Sequence, residues 1–221
     1  VVAVKICGVC RPEDAALVAA AGADYLGVIL APGSRRSRTL AEAAAIFAAA
    51  PGCRRVGVFV DAPAVEMLEA ARALSLDVLQ LHGAEGADVI AHLRAGWTGE
   101  LWKAIRPRGQ GEVLDAVIAY GDLADGLLLD GWSAGAAGGT GARFPWDEVA
   151  AVRERIPERL RLIVAGGLAP ESVAEAVLRF TPAVVDVSSG VERVVGEKDP
   201  ERIRAFVAAA RGNTVEGDQD V

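Results

Sequence analysis

No apolar run in this 221-residue chain approaches the roughly eighteen residues that cross a bilayer. Hydrophobic residues nevertheless make up 52% of it, so that content is expected in a soluble core rather than a membrane. Cysteine is scarce and odd in number, Cys7, Cys10 and Cys53, which argues against a disulfide framework and for a reducing compartment, the cytoplasm. No secretory address is expected either: the given sequence opens on the strand-like VVAVKIC, with no basic region and cleavage site in view. Neither of the two histidines has a partner at metal-ligand spacing, and no carboxylates near strand ends group as a triad, so no catalytic metal is expected. No Lys-Ser or Lys-Thr follows a glycine-rich stretch, which excludes a P-loop. Positive charge is the minority, 23 Lys and Arg against 30 Asp and Glu, for a net charge of -7. Long-range electrostatics therefore disfavour nucleic acid and anionic membranes. A small anionic ligand has to be captured locally, by backbone amides or a few placed arginines.

What is present is regular. Eight apolar, β-rich runs recur: VAVKIC, DYLGVIL, RRVGVFV, DVLQLH, ELWKAIR, DGLLLD, LRLIVAGG and AVVDVSSG. Segments with helical periodicity separate them, from PEDAALVAAAG through PWDEVAAVRERI and APESVAEAVLRF to DPERIRAFVAAAR. Strands apolar on both faces belong to parallel sheets covered by helices. Eight units of about 25 residues predict an α/β fold, a single (β/α)8 TIM barrel over residues 1–211, with an open doubly wound sheet as the alternative. Residues 212–221, polar throughout, are expected to form a flexible C-terminal tail.

In such a barrel the chemistry sits where strands end and βα loops begin. Those ends carry Cys7, Arg36 in the loop after strand 2, Asp61, His82, Arg106, Asp130, the pair Gly166 and Gly167, and the run Ser188, Ser189 and Gly190. The last two groups follow strands 7 and 8, the usual phosphate site of the fold, where small residues let backbone N–H groups approach an anion. A planar guanidinium matches a carboxylate at two points, so an arginine of APGSRRSR, Arg36, is a candidate for a substrate carboxylate; Arg35 and Arg38 read as solvated. His82 fits either a polar contact to the ligand or a satisfied core histidine. The long loop GWSAGAAGGTGARFPW after strand 6 reads as a lid. Cys7 and Asp130 at one barrel mouth would make a base and an acid for relocating a proton on a small sugar, an isomerase arrangement.

The motifs KICG, QLHG, GGTG, AGGL and DVSSGVE, in that order and spread over nearly the whole chain, resemble the phosphoribosylanthranilate isomerase family of tryptophan biosynthesis. The resemblance implies a cofactor-free Amadori rearrangement of a phosphorylated small molecule by a monomer or homodimer. It implies Asp130 as the acid that protonates the furanose ring oxygen and Cys7 as the base that removes the C2' proton. Arg36 would hold the anthranilate carboxylate, Gly166, Gly167, Ser188, Ser189 and Gly190 the phosphate, with Asp186 and His82 as further polar contacts. Two positions depart from the family pattern: Cys10 stands where threonine is usual, and Pro145 where aspartate is frequent. Cys10 is what creates the CGVC string, which on its own also fits a redox pair or half of a zinc site.

A cysteine base benefits from nearby positive charge. Lys5 precedes Cys7 by two residues, hence on the same strand face, and strand 8, which adjoins strand 1 in a closed barrel, offers Asp186 as its partner. On that reading Lys5→Met moves the acidic limb of the kcat/KM profile upward.

Overall fold

Alternating strand and helix segments close on themselves. In the computed structural model, which describes residues 1–131 and 146–212, the strands are β1 (Ala3–Ile6), β2 (Tyr25–Ile29), β3 (Arg54–Phe59), β4 (Val78–Leu81), β5 (Glu100–Ile105), β6 (Gly126–Leu129), β7 (Arg161–Val164) and β8 (Val184–Val187). Each is hydrogen-bonded to the next, and β8 pairs in parallel with β1, so the sheet is a closed barrel and the open-sheet alternative is excluded. Helices follow the strands in turn: α1 (Pro12–Ala20), α2 (Leu40–Ala48), α3 (Ala64–Leu74), α4 (Ala87–Gly96), α5 (Gln110–Tyr120), α6 (Trp146–Ala150), α7 (Val173–Phe180) and α8 (Pro200–Ala210). No helix among the described residues is long and apolar enough to cross a membrane. Of the lid expected over residues 131–146, residues 132–145 lie outside the described residues, as does the expected tail beyond residue 212.

Local signals account for several helix starts. Thr39 and Glu42 form a reciprocal capping box on α2, and Asp199 caps α8 with Pro200 in its first turn. The sequence predicts one continuous helix through Ile156, but α6 ends at Ala150 and a short 3-10 turn spans Arg153–Arg155. Ile156 is already extended because it precedes Pro157, whose ring disfavours the helical conformation in the residue before it. A small antiparallel hairpin after β8, made of β9 (Glu192–Val194) and β10 (Glu197–Lys198), was not expected from the strand pattern.

Two apolar layers result. The outward faces of the strands pack on the helices, while Tyr25, Val56, Val58, Val78, Trp102, Leu128, Ile163 and Val184 fill the barrel interior. The end of the barrel where strands begin is plugged. Arg54 and Arg161 both reach Glu100, at 2.7 and 3.3 Å, and both donate to the Tyr25 hydroxyl; Trp102 Nε1 donates to the same glutamate at 2.8 Å. With that end filled, the mouth where the strands finish is left to hold a ligand.

Candidate active site

A cavity of about 1130 Å³ opens at the C-terminal ends of the strands. Every site residue expected from the sequence lines it: Cys7, Arg36, His82, Asp130, Gly166, Gly167, Asp186, Ser188, Ser189 and Gly190. Asp61 and Arg106 join them. The residues come from loops on all sides of the barrel, and only closure of the sheet brings them to one space.

Cys7 directly follows β1 and is 7% exposed. Lys5, two residues earlier and fully buried, lies 2.9 Å from Asp186 Oδ1; register places the two residues opposite each other on β1 and β8. Gly27 makes room for this group. A Cβ there would stand 3.0 Å from Cys7 Sγ and 3.2 Å from Lys5 Nζ. Burial pushes the Cys7 thiol above its ordinary range, and the Lys5 charge opposes without cancelling that shift. Lys5 itself, despite its burial, is held above the ordinary lysine value by Asp186 and Cys7.

Asp130 follows β6. Its burial favours the neutral acid, but the His82 hydrogen bond (Nε2 to Oδ2, 3.1 Å), the Arg106 guanidinium (3.6 Å) and the Gly131 N–H (2.9 Å to Oδ1) outweigh it. The carboxyl therefore sits below the usual carboxylate range. Gln80, fully buried on the same face of β4 as His82, places its amide nitrogen 2.9 Å from His82 Nδ1. With the amide in this orientation it donates to Nδ1, the arrangement that leaves the Nε2 proton for Asp130. His82 lines the cavity and contacts both Gln80 and Asp130.

β7 and β8, between β6 and β1 in the closed sheet, carry the glycine and serine loops, so those loops separate Asp130 from Cys7. Gly166 has φ of +78°, and a Cβ on it would lie 1.9 Å from the Gly131 backbone nitrogen; one on Gly190 would lie 2.0 Å from the Leu168 carbonyl. Both glycines are required by close backbone approach. Gly8 has the same role beside them: with φ of +66°, it allows the Arg36 and Ser188 side chains to pass within 3 Å of where a Cβ would be.

Arg36 is buried and already grips Glu192, through Nε (2.8 Å) and Nη2 (2.6 Å). Nη1 has no partner among the described residues. Arg35 is exposed as expected, whereas Arg38 differs from its solvated reading and donates to the Cys10 carbonyl at 3.0 Å. Cys10 is buried in the loop beyond β1, its thiol 3.4 Å from the Gly8 carbonyl and 3.7 Å from that of Arg36. The two cysteines of CGVC are both free. Among the described residues no three His, Cys, Asp or Glu side chains group to hold a metal ion.

A family model described as N-(5'-phosphoribosyl)anthranilate (PRA) isomerase matches residues 4–209. The chain belongs to this isomerase family. It is 46% identical to the N-(5'-phosphoribosyl)anthranilate isomerase of Chromohalobacter salexigens, over 93% of this chain and 92% of that one. It is 41% identical to the corresponding protein of Rubrobacter xylanophilus, over 94% and 98%. The crystal structure of phosphoribosyl anthranilate isomerase from Thermotoga maritima superimposes with a TM-score of 0.86 at 32% identity, covering 96% of this chain and all of that one. A second isomerase structure, in complex with reduced 1-(o-carboxyphenylamino)-1-deoxyribulose 5-phosphate, matches with a TM-score of 0.83 at 32% identity, over 96% and 100%.

Four side chains that line the cavity or support its lining escaped sequence reasoning. Gln80 was detectable, because it precedes His82 by two and shares its strand face. Glu192 ends DVSSGVE, a motif that carries the family resemblance, and Lys198 follows six residues later; neither position reveals what the residue touches. Glu85 gave no signal: it accepts from Lys103 at 2.8 Å and from the backbone N–H groups of Asp61 and Gly83, tying loops 3 and 4 together.

Proposed function

We propose that the cavity carries out the Amadori rearrangement of N-(5'-phosphoribosyl)anthranilate to 1-(2-carboxyphenylamino)-1-deoxyribulose 5-phosphate, with Asp130 as general acid and Cys7 as general base. The observation that carries the reading is the placement of these two groups in one cavity, with the loops of β7 and β8 between them. Phosphate held on Gly166, Gly167, Ser188, Ser189 and Gly190 presents the ribose to both. Asp130 gives its proton to the furanose oxygen as the C1'–O bond breaks and the anilino nitrogen lone pair forms an iminium. The Cys7 thiolate then removes the C2' proton, and the C–H electron pair forms the C1'–C2' double bond while neutralising the iminium. The resulting enolamine tautomerises to the ketone. Arg36 holds the aryl carboxylate, His82 addresses Asp130, and Asp186 acts through Lys5.

The reaction belongs to tryptophan biosynthesis, and three free cysteines among the described residues support a cytoplasmic location. We infer no nucleic-acid or membrane partner, and a monomer or homodimer. The test is a coupled assay in which the unstable aminoglycoside is generated in place and loss of anthranilate fluorescence is followed. Enzyme-dependent loss is expected; decay no faster than the uncatalysed background would overturn the assignment.

The directions of the two titrations fix the shape of the pH profile. With Cys7 above its ordinary value and Asp130 below, the majority form near neutrality is thiol plus carboxylate, while the reactive form is thiolate plus carboxylic acid. Both forms carry one proton, so kcat/KM is flat between the two pKa values. Cys7 therefore sets the alkaline limb and not the acidic one that its role as a base suggests from sequence. Lys5→Met raises the Cys7 pKa further, which lowers the plateau and moves the alkaline limb upward. An unmoved limb and plateau in a folded variant would remove Lys5 from this role. Because Lys5→Met strands Asp186, at a cost of about 3–5 kcal/mol, the pH profile is measured on Lys5→Met/Asp186→Asn as well.

A further inference from the structure

Arg36 offers a carboxylate one free corner of its guanidinium, and that corner is aimed by residues outside the reaction. Glu192 accepts two bonds from it, at 2.8 and 2.6 Å, with both side chains about nine-tenths buried or more. Glu192 is in turn fixed by Lys198, whose Nζ lies 3.1 Å from Oε1. Lys198 is 1% exposed and spends its other bonds on the carbonyls of Cys7 (2.7 Å) and Ser188 (3.0 Å). One ammonium thus joins the end of β1, the loop of β8 and the acid that grips Arg36. Arg36 and Lys198 together hold Glu192 below the ordinary carboxylate range despite its burial, while burial pushes Lys198 itself below the ordinary lysine value.

We propose that Glu192, anchored by Lys198, is the positioning residue that makes Arg36 selective for a substrate bearing an aryl carboxylate. An unrestrained arginine samples many rotamers and loses that freedom on binding, while a planar fork held at two points meets a carboxylate at no such cost. The anchor sits on the β9–β10 hairpin, so the hairpin serves as the clamp that sets specificity at the aryl end of the cavity. This inference rests on the reading of Arg36 as the carboxylate contact.

The experiment compares two substrates made in place, N-(5'-phosphoribosyl)anthranilate and N-(5'-phosphoribosyl)aniline, which lacks the carboxylate, with both ketone products followed by mass spectrometry. Glu192→Gln keeps shape but places an amide donor against the guanidinium. It is expected to reduce the preference for the carboxylate substrate, as a ratio of kcat/KM values, by about 10-fold to 100-fold, with the change carried by KM. Equal losses on both substrates would make Glu192 a structural residue only and overturn the proposal. Arg36→Met separates the two layers of the reading. If it leaves the preference intact, Arg36 is not the carboxylate contact; if it abolishes the preference while Glu192→Gln does not, Arg36 stands and the role of Glu192 falls. In the Arg36→Met background Glu192→Gln is expected to change the preference no further. Should Glu192→Gln fail to fold, Glu192→Asp, which withdraws the carboxylate without removing its charge, is read by the same ratio.

Discussion

Cys7→Ser is expected to lower kcat by about 10²–10⁴-fold, the usual worth of a positioned proton-transfer group, with KM changed little. Serine fits the place: the oxygen is smaller than the sulfur it replaces, Gly27 leaves space beside it, and the Cys7 N–H to Val187 carbonyl bond of 2.8 Å is unaffected. What serine cannot do is ionise. The thiol is already pushed up by burial, and an alcohol in the same surroundings is out of reach of any usable pH. The measurement is turnover in the coupled assay, with thermal unfolding as the check on folding; a loss below tenfold would take Cys7 out of the base role. Cys10→Thr is the control. Its hydroxyl can donate to the Gly8 carbonyl as the Cys10 thiol does, so most activity is retained.

Asp130→Asn is expected to cost a similar factor in kcat and also to change the form of the pH profile. The amide has no proton to give at the ring oxygen. Its amide nitrogen also has to replace a carboxylate oxygen that faces either the Gly131 N–H or His82 Nε2. With the acid gone, only Cys7 titrates among the two reacting groups, and the residual kcat/KM must follow the thiolate alone. The alkaline limb, which falls in the parent, becomes a rise through the same Cys7 pKa in the variant. A variant profile that still falls at high pH would show that Asp130 does not supply the proton.

Much of the frame was legible because it is written in local terms. Apolar runs of four to six residues recurring between amphipathic segments specify parallel strands covered by helices, and eight of them in strict alternation leave closure as the economical solution. The strand ends could be read as a rim because polar residues concentrate there. The period of two along a strand was enough to pair Lys5 with Cys7, and adjacency of the first and last strands was enough to offer Asp186, which the structure places at 2.9 Å. The same period would have found Gln80 behind His82. The length of α6 was misread because helical periodicity continues past the point where Pro157 imposes an extended predecessor.

The amino-acid sequence by itself thus determined the architecture, the end of the barrel where the cavity opens and the chemical type of the polar groups at the strand ends, since these follow from periodicity, side-chain chemistry and neighbour relations along the chain. Only the tertiary structure decided the electrostatic state of those groups and which of them act on one another. Burial raises Cys7 while His82, Arg106 and a backbone N–H lower Asp130, which exchanges the limbs of the pH profile. Glu192 and Lys198, distant from Arg36 and Cys7 in the chain, hold both. Desolvation and long-range ion pairing depend on distances in space, and those distances exist only once the barrel has closed.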